Sequence, residues 1–553
     1  MQEFRTFGPP GTGKTTLMAT QMIPKAVEKY GPNKVLISSF TRTAAKEIAT
    51  KKSLVTGKPI DINPQNVGTM HSLCFHALDS PDLTVGRMKD WNAENFNYQI
   101  SGSDGGSVDE GGSETSSGAS NGAQLLGKLN ILRSRMVPEN FWPQSVRAFN
   151  TKWKAWKDDH FLMDFTDLIE ESINRKPIAP NNPDVLFIDE AQDFTPLQFK
   201  LARLWGQNME WYVLIGDDDQ AIFSFTGASP DAFLNPPVEN KFKRVLSQSY
   251  RVPKAVFERA DRLIRRVSRR EPKEYKPRDF EGCVRQHDGN FKNVEGIIND
   301  VKKQLKTGKT VMLLASCAYM LDQLKEVLKK QGIPFHNPYR VTRGDWNPLK
   351  HGTEKTVTTV DMINNFIGTG PDGKYWTIQQ LIKWAKSIKT GDTGLKRKQG
   401  KAGLKALQEA VEADAGGLDT SREVIGQLFN AEAIEPIMNR DLEWLNAHLV
   451  ETKRKNIKFP LAVLDSFGPQ ALIDRPPVII GTIHSVKGGE ADVVYLFPDL
   501  SIQAMMEMQK SREAVDSIYR LFYVGMTRAR EELVITSPIL SKRKGLPSLF
   551  MEM

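Results

Sequence analysis

Cysteine is scarce: three residues in 553, Cys74, Cys283 and Cys317, with no pairing pattern. That excludes a disulfide-stapled secreted fold and fits a reducing compartment. Neither C-x-x-C nor H-E-x-x-H occurs, and the eight histidines are scattered, so no structural metal site is expected. No run of eighteen apolar residues exists, which leaves no candidate membrane span. The sequence enters a strand and a glycine-rich loop at once, so no signal peptide is expected. No short-period repeat is visible. What is present, 40% hydrophobic and 25% charged residues, is the composition of a soluble globular protein. The length implies roughly three or four domains. A net charge of +9 favours a polyanionic partner, although such an excess can also serve solubility alone.

The most informative stretch is Gly8-Pro9-Pro10-Gly11-Thr12-Gly13-Lys14-Thr15-Thr16. Phe4 and Phe7 mark a strand before it, and Leu17-Met18-Ala19 opens a helix after it. This is a phosphate-binding loop in its required context. Gly8, Gly11 and Gly13 let backbone N–H groups curl round phosphate oxygens. The helix N-terminus adds its positive dipole end. Lys14 supplies charge to the β- and γ-phosphates, and the Thr15 hydroxyl is a Mg²⁺ ligand candidate. By contrast, Gly308-Lys309-Thr310 lacks the upstream glycine and reads as a turn before the strand Val311–Leu314.

Along the chain, strands are expected at 34–40, 184–188, 211–215, 311–314, 478–483, 493–497 and 532–535, alternating with helices such as Thr41–Ile48 and Ala514–Val524. That alternation argues for doubly wound parallel sheets. Residues 101–120 hold thirteen Gly or Ser and four acidic residues, with no basic or aromatic one, and read as a disordered loop within 101–122. In Lys152-Trp153-Lys154-Ala155-Trp156-Lys157, base stacking is one reading. The simpler one packs both tryptophans inside a helix with the lysines facing water. A basic helix is expected over 252–270, and a second helical interruption with a Lys-rich patch (Lys396, Arg397, Lys398, Lys401, Lys405) over roughly 340–475. Two acidic clusters, Asp189-Glu190-Ala191-Gln192-Asp193 and Gly216-Asp217-Asp218-Asp219-Gln220, follow strand ends, where active residues of open α/β sheets gather.

The order of stretches resembles the superfamily 1 DNA helicases of the UvrD/Rep/PcrA type. The matching segments are Gly8–Thr16, Ser39–Ile48 (SFTRTAAKEI), Gly68–Cys74 (GTMHSLC), Asp164–Ile169 (DFTDLI), Phe187–Asp193 (FIDEAQD), Gly216–Ala228 (GDDDQAIFSFTGA), Gln248–Arg251 (QSYR), Thr482–Glu490 (TIHSVKGGE) and Tyr523–Arg530 (YVGMTRAR). The resemblance implies an α/β fold of two RecA-like parallel-sheet P-loop cores, each with a mostly helical insertion. It places the first core at 1–80 and 160–248, its insertion at 81–159, the second core at 249–340 and 476–553, and its insertion at 341–475. It implies an ATP-dependent DNA helicase that uses Mg²⁺ and moves 3′ to 5′ on single-stranded DNA. Thr15 and Asp189 would hold the cation, Glu190 would activate water, Gln220 would sense the γ-phosphate, and Arg251 and Arg528 would act as arginine fingers beside Lys14. Tyr250 would stack on the base, and Glu490 would lie near the sugar and γ-phosphate. The strand path would use Phe40, Thr69, His71, Phe223, Phe225, Thr482, His484 and Ser485; for Phe40 and Phe223, core packing stands beside stacking.

The implied partners are single-stranded DNA and single/double-strand junctions, with replication or repair proteins unspecified. The implied setting is the cytoplasm, nucleoid-associated or viral in a host cell, for a monomer or weak oligomer. Two rival readings stand beside this one. A translocase would strip bound proteins with little unwinding. A non-catalytic DNA-binding subunit of a helicase–nuclease complex would not need the complete hydrolytic set. Three departures qualify the resemblance. Only seven residues precede Gly8, so the adenine-reading glutamine motif is expected to be missing and Tyr250 to carry more of the base contact. Phe223-Ser224-Phe225-Thr226 keeps stacking rings but lacks the usual basic residues, and the second insertion matches the duplex-contacting subdomain poorly. With twenty-three residues after Arg530, a fused nuclease is not expected.

Overall fold

The computed structural model describes residues 2–40, 48, 57, 61–100, 120–353 and 356–539. The expected helix at 41–48, apart from Ile48, and the expected loop at 101–119 lie outside the described residues.

Among the described residues, two six-stranded parallel sheets organise the chain. The first is built from β1 (Gln2–Phe7), β2 (Val35–Ser39), β3 (Val67–Gly68), β4 (Val185–Asp189), β5 (Trp211–Gly216) and β6 (Lys243–Val245), in the order β3-β2-β4-β5-β1-β6. Every residue of β2 and β4 is buried, as continuous apolar runs covered on both faces require. The register pairs Ser39 with Asp189 and Phe7 with Gly216, so the carboxyl ends of β2, β4, β1 and β5 form one edge. The second sheet holds β7 (Cys283–His287), β8 (Val311–Ala315), β9 (Phe335–His336), β10 (Val478–Thr482), β11 (Ala491–Leu496) and β12 (Ala529–Thr536), in the order β7-β12-β11-β8-β10-β9. Gly308 takes the left-handed conformation (φ +76°) in the turn before β8.

The chain forms two compact units: Met1–His287 with Leu314–Cys317 and Thr482–Met553, and Asp288–Leu313 with Ala318–Gly481. In the first, helices Met88–Glu94, Asn121–Ser134 and Gln144–Asp159 enclose a core that includes Trp91, Leu129, Phe149, Trp153 and Trp156. Trp153 stacks on Trp156 at 5.4 Å, and Trp91 meets Trp153 edge-on at 4.9 Å. The tryptophans of the Lys-Trp stretch therefore pack inward, and Lys152 and Lys154 face water. Lys157 departs from that pattern. It is buried because Asp164 (2.7 Å) and Asp167 draw its ammonium inward. Arg133 joins the same cluster, reaching Asp164 at 3.0 Å and Asp167 and Glu170 at 2.6 Å each. The Trp153 indole N–H also donates to Asp164, at 2.9 Å. The excursion is closed at its neck by two backbone bonds, Thr84 N–H to Met163 O (3.0 Å) and Met163 N–H to Asp82 O (2.9 Å).

The basic helix spans Lys254–Ile264 and is shorter than the sequence suggests. Beyond it the chain turns, with the Ser268 N–H donating to Asp516 at 3.0 Å. In the second unit, helices including Thr359–Ile367, Ile378–Ala385, Arg422–Leu428 and Leu442–His448 gather round Phe366, Trp376, Trp384, Phe429 and Trp444. Trp384 stacks on Phe429 at 5.3 Å. No helix among the described residues is long and apolar enough to cross a membrane.

Candidate nucleotide site and nucleic-acid path

The phosphate loop leaves the end of β1, held by Gly8 N–H donating to Gly216 O at 3.0 Å. Gly11 (φ +74°) and Gly13 (φ +78°) take left-handed conformations, which set the curl. A Cβ on Gly8 would lie 2.3 Å from the Lys14 side chain, and one on Gly11 would lie 2.5 Å from Arg251. The Thr12 hydroxyl donates to Pro9 O at 2.8 Å, and the Lys14 ammonium turns back onto Gly8 O at 2.5 Å. Lys14 is buried at the start of helix Lys14–Leu17, while Thr16 on the same turn is exposed. The loop is also gripped from the Gln248–Arg251 stretch. Tyr250 N–H donates to Gly11 O (2.8 Å), and both Ser249 Oγ and Tyr275 OH donate to Pro10 O at 2.9 Å.

Asp189 ends β4 facing this loop and accepts from the Thr15 hydroxyl at 2.9 Å. Its Oδ1 is buried without a partner. Burial, with Glu190 adding like charge, pushes the Asp189 carboxyl up to about 7. Glu190 sits at φ 51°, a left-handed conformation uncommon for a non-glycine residue and one that the surrounding structure must hold in place. Burial works against its charge, but Lys14 and Lys487 outweigh that and hold it below the ordinary carboxylate range. Glu190 is therefore an anion at neutral pH, the state a water-activating base needs. A partnerless buried carboxylate oxygen beside a threonine hydroxyl is a donor set that fits a hard cation such as Mg²⁺.

Gln192 links the two strand ends, accepting from Asp217 N–H at 2.8 Å and donating to Glu190 at 2.5 Å. Gln220 donates to Asp217 at 2.7 Å and accepts from Arg528 at 3.1 Å. Arg528 is fully buried and also donates to Val524 O (2.9 Å) and Gly489 O (3.3 Å). Arg251 pairs with Glu490 at 2.6 Å, which keeps the Glu490 carboxyl below its usual range against the opposing effect of burial. The Tyr250 ring is 73% exposed, so it is open to a stacking partner. Lys14, Thr15, Asp189, Glu190, Gln220 and Arg528 thus converge, with Arg251 and Glu490 paired beside Gly11.

Of the residues nominated for the strand path, four form one ring cluster. Phe40 lies 4.8 Å from Phe223, Phe223 5.7 Å from Phe225, and Phe225 5.2 Å from His484. Phe40 and Phe223 are buried, whereas Phe225 is 38% exposed. Thr482 and Ser485 are buried and bonded to each other, Ser485 Oγ donating to Thr482 O at 2.8 Å. Thr69 caps helix Met70–Ala77 by accepting from Ser72 N–H at 3.2 Å. His71 contacts Phe165, 5.6 Å between ring centroids.

Sequence reasoning missed several participants. Lys487 bonds Asp193 and donates to Gln220 O at 2.8 Å, and its ammonium lies 5.2 Å from the Phe223 ring. Asp193 is nonetheless pushed up to about 7 by burial. Lys273 and Arg270 neutralise the Asp217–Asp219 turn. Lys487 carried a signal, since it lies inside Thr482–Glu490, as did Asp193 inside Phe187–Asp193; Lys273 and Arg270 lie in none of the matching segments.

Comparison with known proteins identifies the family. The UvrD/REP helicase N-terminal domain matches residues 5–242, and the UvrD-like helicase C-terminal domain matches residues 442–538. A probable DNA helicase II homolog of Mycoplasma capricolum is 23% identical, over 95% of this chain and 81% of that protein. The ATP-dependent DNA helicase PcrA of Bacillus subtilis is 22% identical, over 95% of this chain and 79% of its own length. PcrA of Staphylococcus aureus is also 22% identical, over 98% and 83%. With both domains present in order and relatives matching along nearly its whole length, the chain belongs to the UvrD/Rep/PcrA-type superfamily 1 helicases and is an enzyme of that kind.

Proposed function

We propose that this helicase hydrolyses ATP between the phosphate loop and Arg251/Arg528, and couples turnover to 3′-to-5′ movement along single-stranded DNA and duplex unwinding. The observation that carries the reading is the series of side-chain bonds that brings the loop, the two strand ends and Arg528 together. Thr15 meets Asp189 at 2.9 Å, Gln220 meets Arg528 at 3.1 Å, and the Glu190 anion stands beside them. Thr15 and Asp189 would hold Mg²⁺, which when bound neutralises phosphate charge. Lys14 and the loop N–H groups bind the phosphates, and Glu190 orients and deprotonates the attacking water. Arg251 and Arg528 stabilise the charge on the transferred phosphoryl group. Gln220, fixed to Arg528, is placed to report the γ-phosphate. The cluster of Phe40, Phe223, Phe225 and His484 supports base stacking along the strand, with the exposed Phe225 as its accessible ring.

We assign residues 1–80 and 160–248 to the first core, 249–340 and 476–553 to the second, and 81–159 and 341–475 to the insertions. Scarce cysteine supports action in the cytoplasm. The second reading, a translocase that clears bound proteins, is favoured by one observation: residues 243–441 lie outside both matched domains, and most of the second insertion is there.

The test is ATP turnover with and without single-stranded DNA, alongside unwinding of duplexes with a 3′ or a 5′ overhang. Stimulated turnover and unwinding from the 3′ overhang alone are expected. Stimulation without unwinding would favour the translocase. Normal turnover in Lys14→Ala would overturn the site assignment.

A further inference from the structure

The turn Asp217-Asp218-Asp219 carries three carboxylates that are at most 1% exposed. They share one ammonium. Lys273, its side chain 1% exposed, lies 3.0 Å from Asp217 and 3.1 Å from Asp219, and bonds Asp218. Arg270 completes the group with two bonds to Asp219, at 2.9 and 2.5 Å. A buried lysine loses its hydration and is retained where such partners compensate it. Here the carboxylates overcome burial and raise its pKa.

Asp217 is the pivot. One of its oxygens faces Lys273, and the other accepts from Gln220 Nε2 at 2.7 Å. An ionised carboxylate only accepts, so it fixes the edge of the Gln220 amide that bears the NH₂. The opposite edge, the carbonyl, then faces the Arg528 guanidinium, which only donates, at 3.1 Å. Both neighbours demand the same amide orientation, provided that Asp217 stays charged.

We propose that Lys273 is a positioning residue for hydrolysis: by keeping Asp217 ionised it locks the Gln220 amide with its carbonyl toward Arg528. Without that cation, a buried Asp217 takes up a proton and becomes a donor as well. The Asp217 side then no longer dictates the orientation, and the amide is held from the Arg528 side alone, so its position is less well fixed. Lys273 touches neither nucleotide nor water in this scheme. The inference rests on the ATPase reading above, and the wild-type turnover measured first separates failure of that reading from failure of this one.

The experiment compares Lys273→Met, Lys273→Arg and the double variant Lys273→Met/Asp218→Asn, with thermal unfolding as the check on folding. The double variant removes one charge of each sign, so it keeps the net charge of the buried group if the single variant does not fold. Steady-state ATP turnover at saturating single-stranded DNA gives kcat and KM. In the methionine variants kcat is expected to fall about a hundredfold, the scale of a misplaced reacting group. KM for ATP should change by less than about threefold, because uniform binding is untouched. Lys273→Arg should recover most of kcat. A folded methionine variant with wild-type kcat overturns the proposal, as does a matched loss in kcat and KM that tracks thermal stability and that arginine does not rescue.

Discussion

Replacing Arg133 with methionine keeps much of the side-chain volume and removes the main counter-charge of a buried carboxylate group. The guanidinium is 9% exposed and faces Asp164 (8% exposed), Asp167 (18%) and Glu170 (37%). The Glu170 pair is partly solvated and contributes less than about 1 kcal/mol. The Asp164 pair is buried, and removing one partner of a buried pair costs about 3–5 kcal/mol because the remaining charge is stranded. Lys157 stays to compensate in part, so about 3 kcal/mol is expected. Burial alone would raise the Asp164 carboxyl, but Arg133 and Lys157 hold it well below the usual range. A depressed folded-state pKa means that its contribution is present above the unfolded value near 4 and lost as pH falls through the folded value. The wild-type advantage over the variant should therefore be full near neutral pH and shrink as pH falls below about 4. Trp153 donates to Asp164 and stacks on Trp156, so two of the ten tryptophans whose fluorescence follows urea unfolding lie at the site. Arg175→Met is the control, because its 2.5 Å pair with Glu171 involves a 63% exposed arginine. Equal, small shifts for both variants would refute the reasoning.

Three further outcomes are expected. Glu190→Gln should retain nucleotide affinity, measured by a fluorescent ATP analogue, while DNA-stimulated turnover falls by about 10²–10⁴; unchanged turnover would remove Glu190 from the chemistry. Gly11→Ala should abolish nucleotide binding, because the left-handed backbone is strained and the new methyl would lie 2.5 Å from Arg251, and wild-type binding in isothermal titration would contradict this. Phe225→Ala should weaken single-stranded DNA binding by about 1–3 kcal/mol in fluorescence anisotropy, with little change in thermal stability given its exposure; a stability loss with full affinity would make the ring structural.

The central strands were legible because parallel strands buried on both faces leave continuous apolar runs, as in Val185–Ile188 and Tyr212–Ile215, whereas Lys243–Val245 and Cys283–His287 are partly exposed and left no such run. The loop was legible because Gly11 and Gly13 occupy positions that demand positive φ. The buried cations were not. Lys273 sits in Glu271-Pro272-Lys273-Glu274-Tyr275-Lys276, which reads as a solvated charged turn, yet its partner Asp218 lies 55 residues away. Lys157 was obscured in the same way by its exposed neighbours Lys152 and Lys154. Local pattern records which side chains are apolar, whereas burial of a charge is decided by a partner distant in sequence. The cap at Thr69 and the pairing of His71 with Phe165 likewise depend on contacts that spacing does not encode.

The two-bond neck at Thr84 and Met163 has a consequence for how this chain tolerates change. Once its ends are pinned, the entropy of closing an excursion grows only logarithmically with its length, about 0.6 kcal/mol per doubling. A segment grafted between residues 84 and 163 therefore adds little closure entropy as it grows. What such a graft must preserve is the hold of Arg133 and Lys157 on Asp164 and Asp167, the ionic rivet that fastens the module to helix Phe165–Arg175.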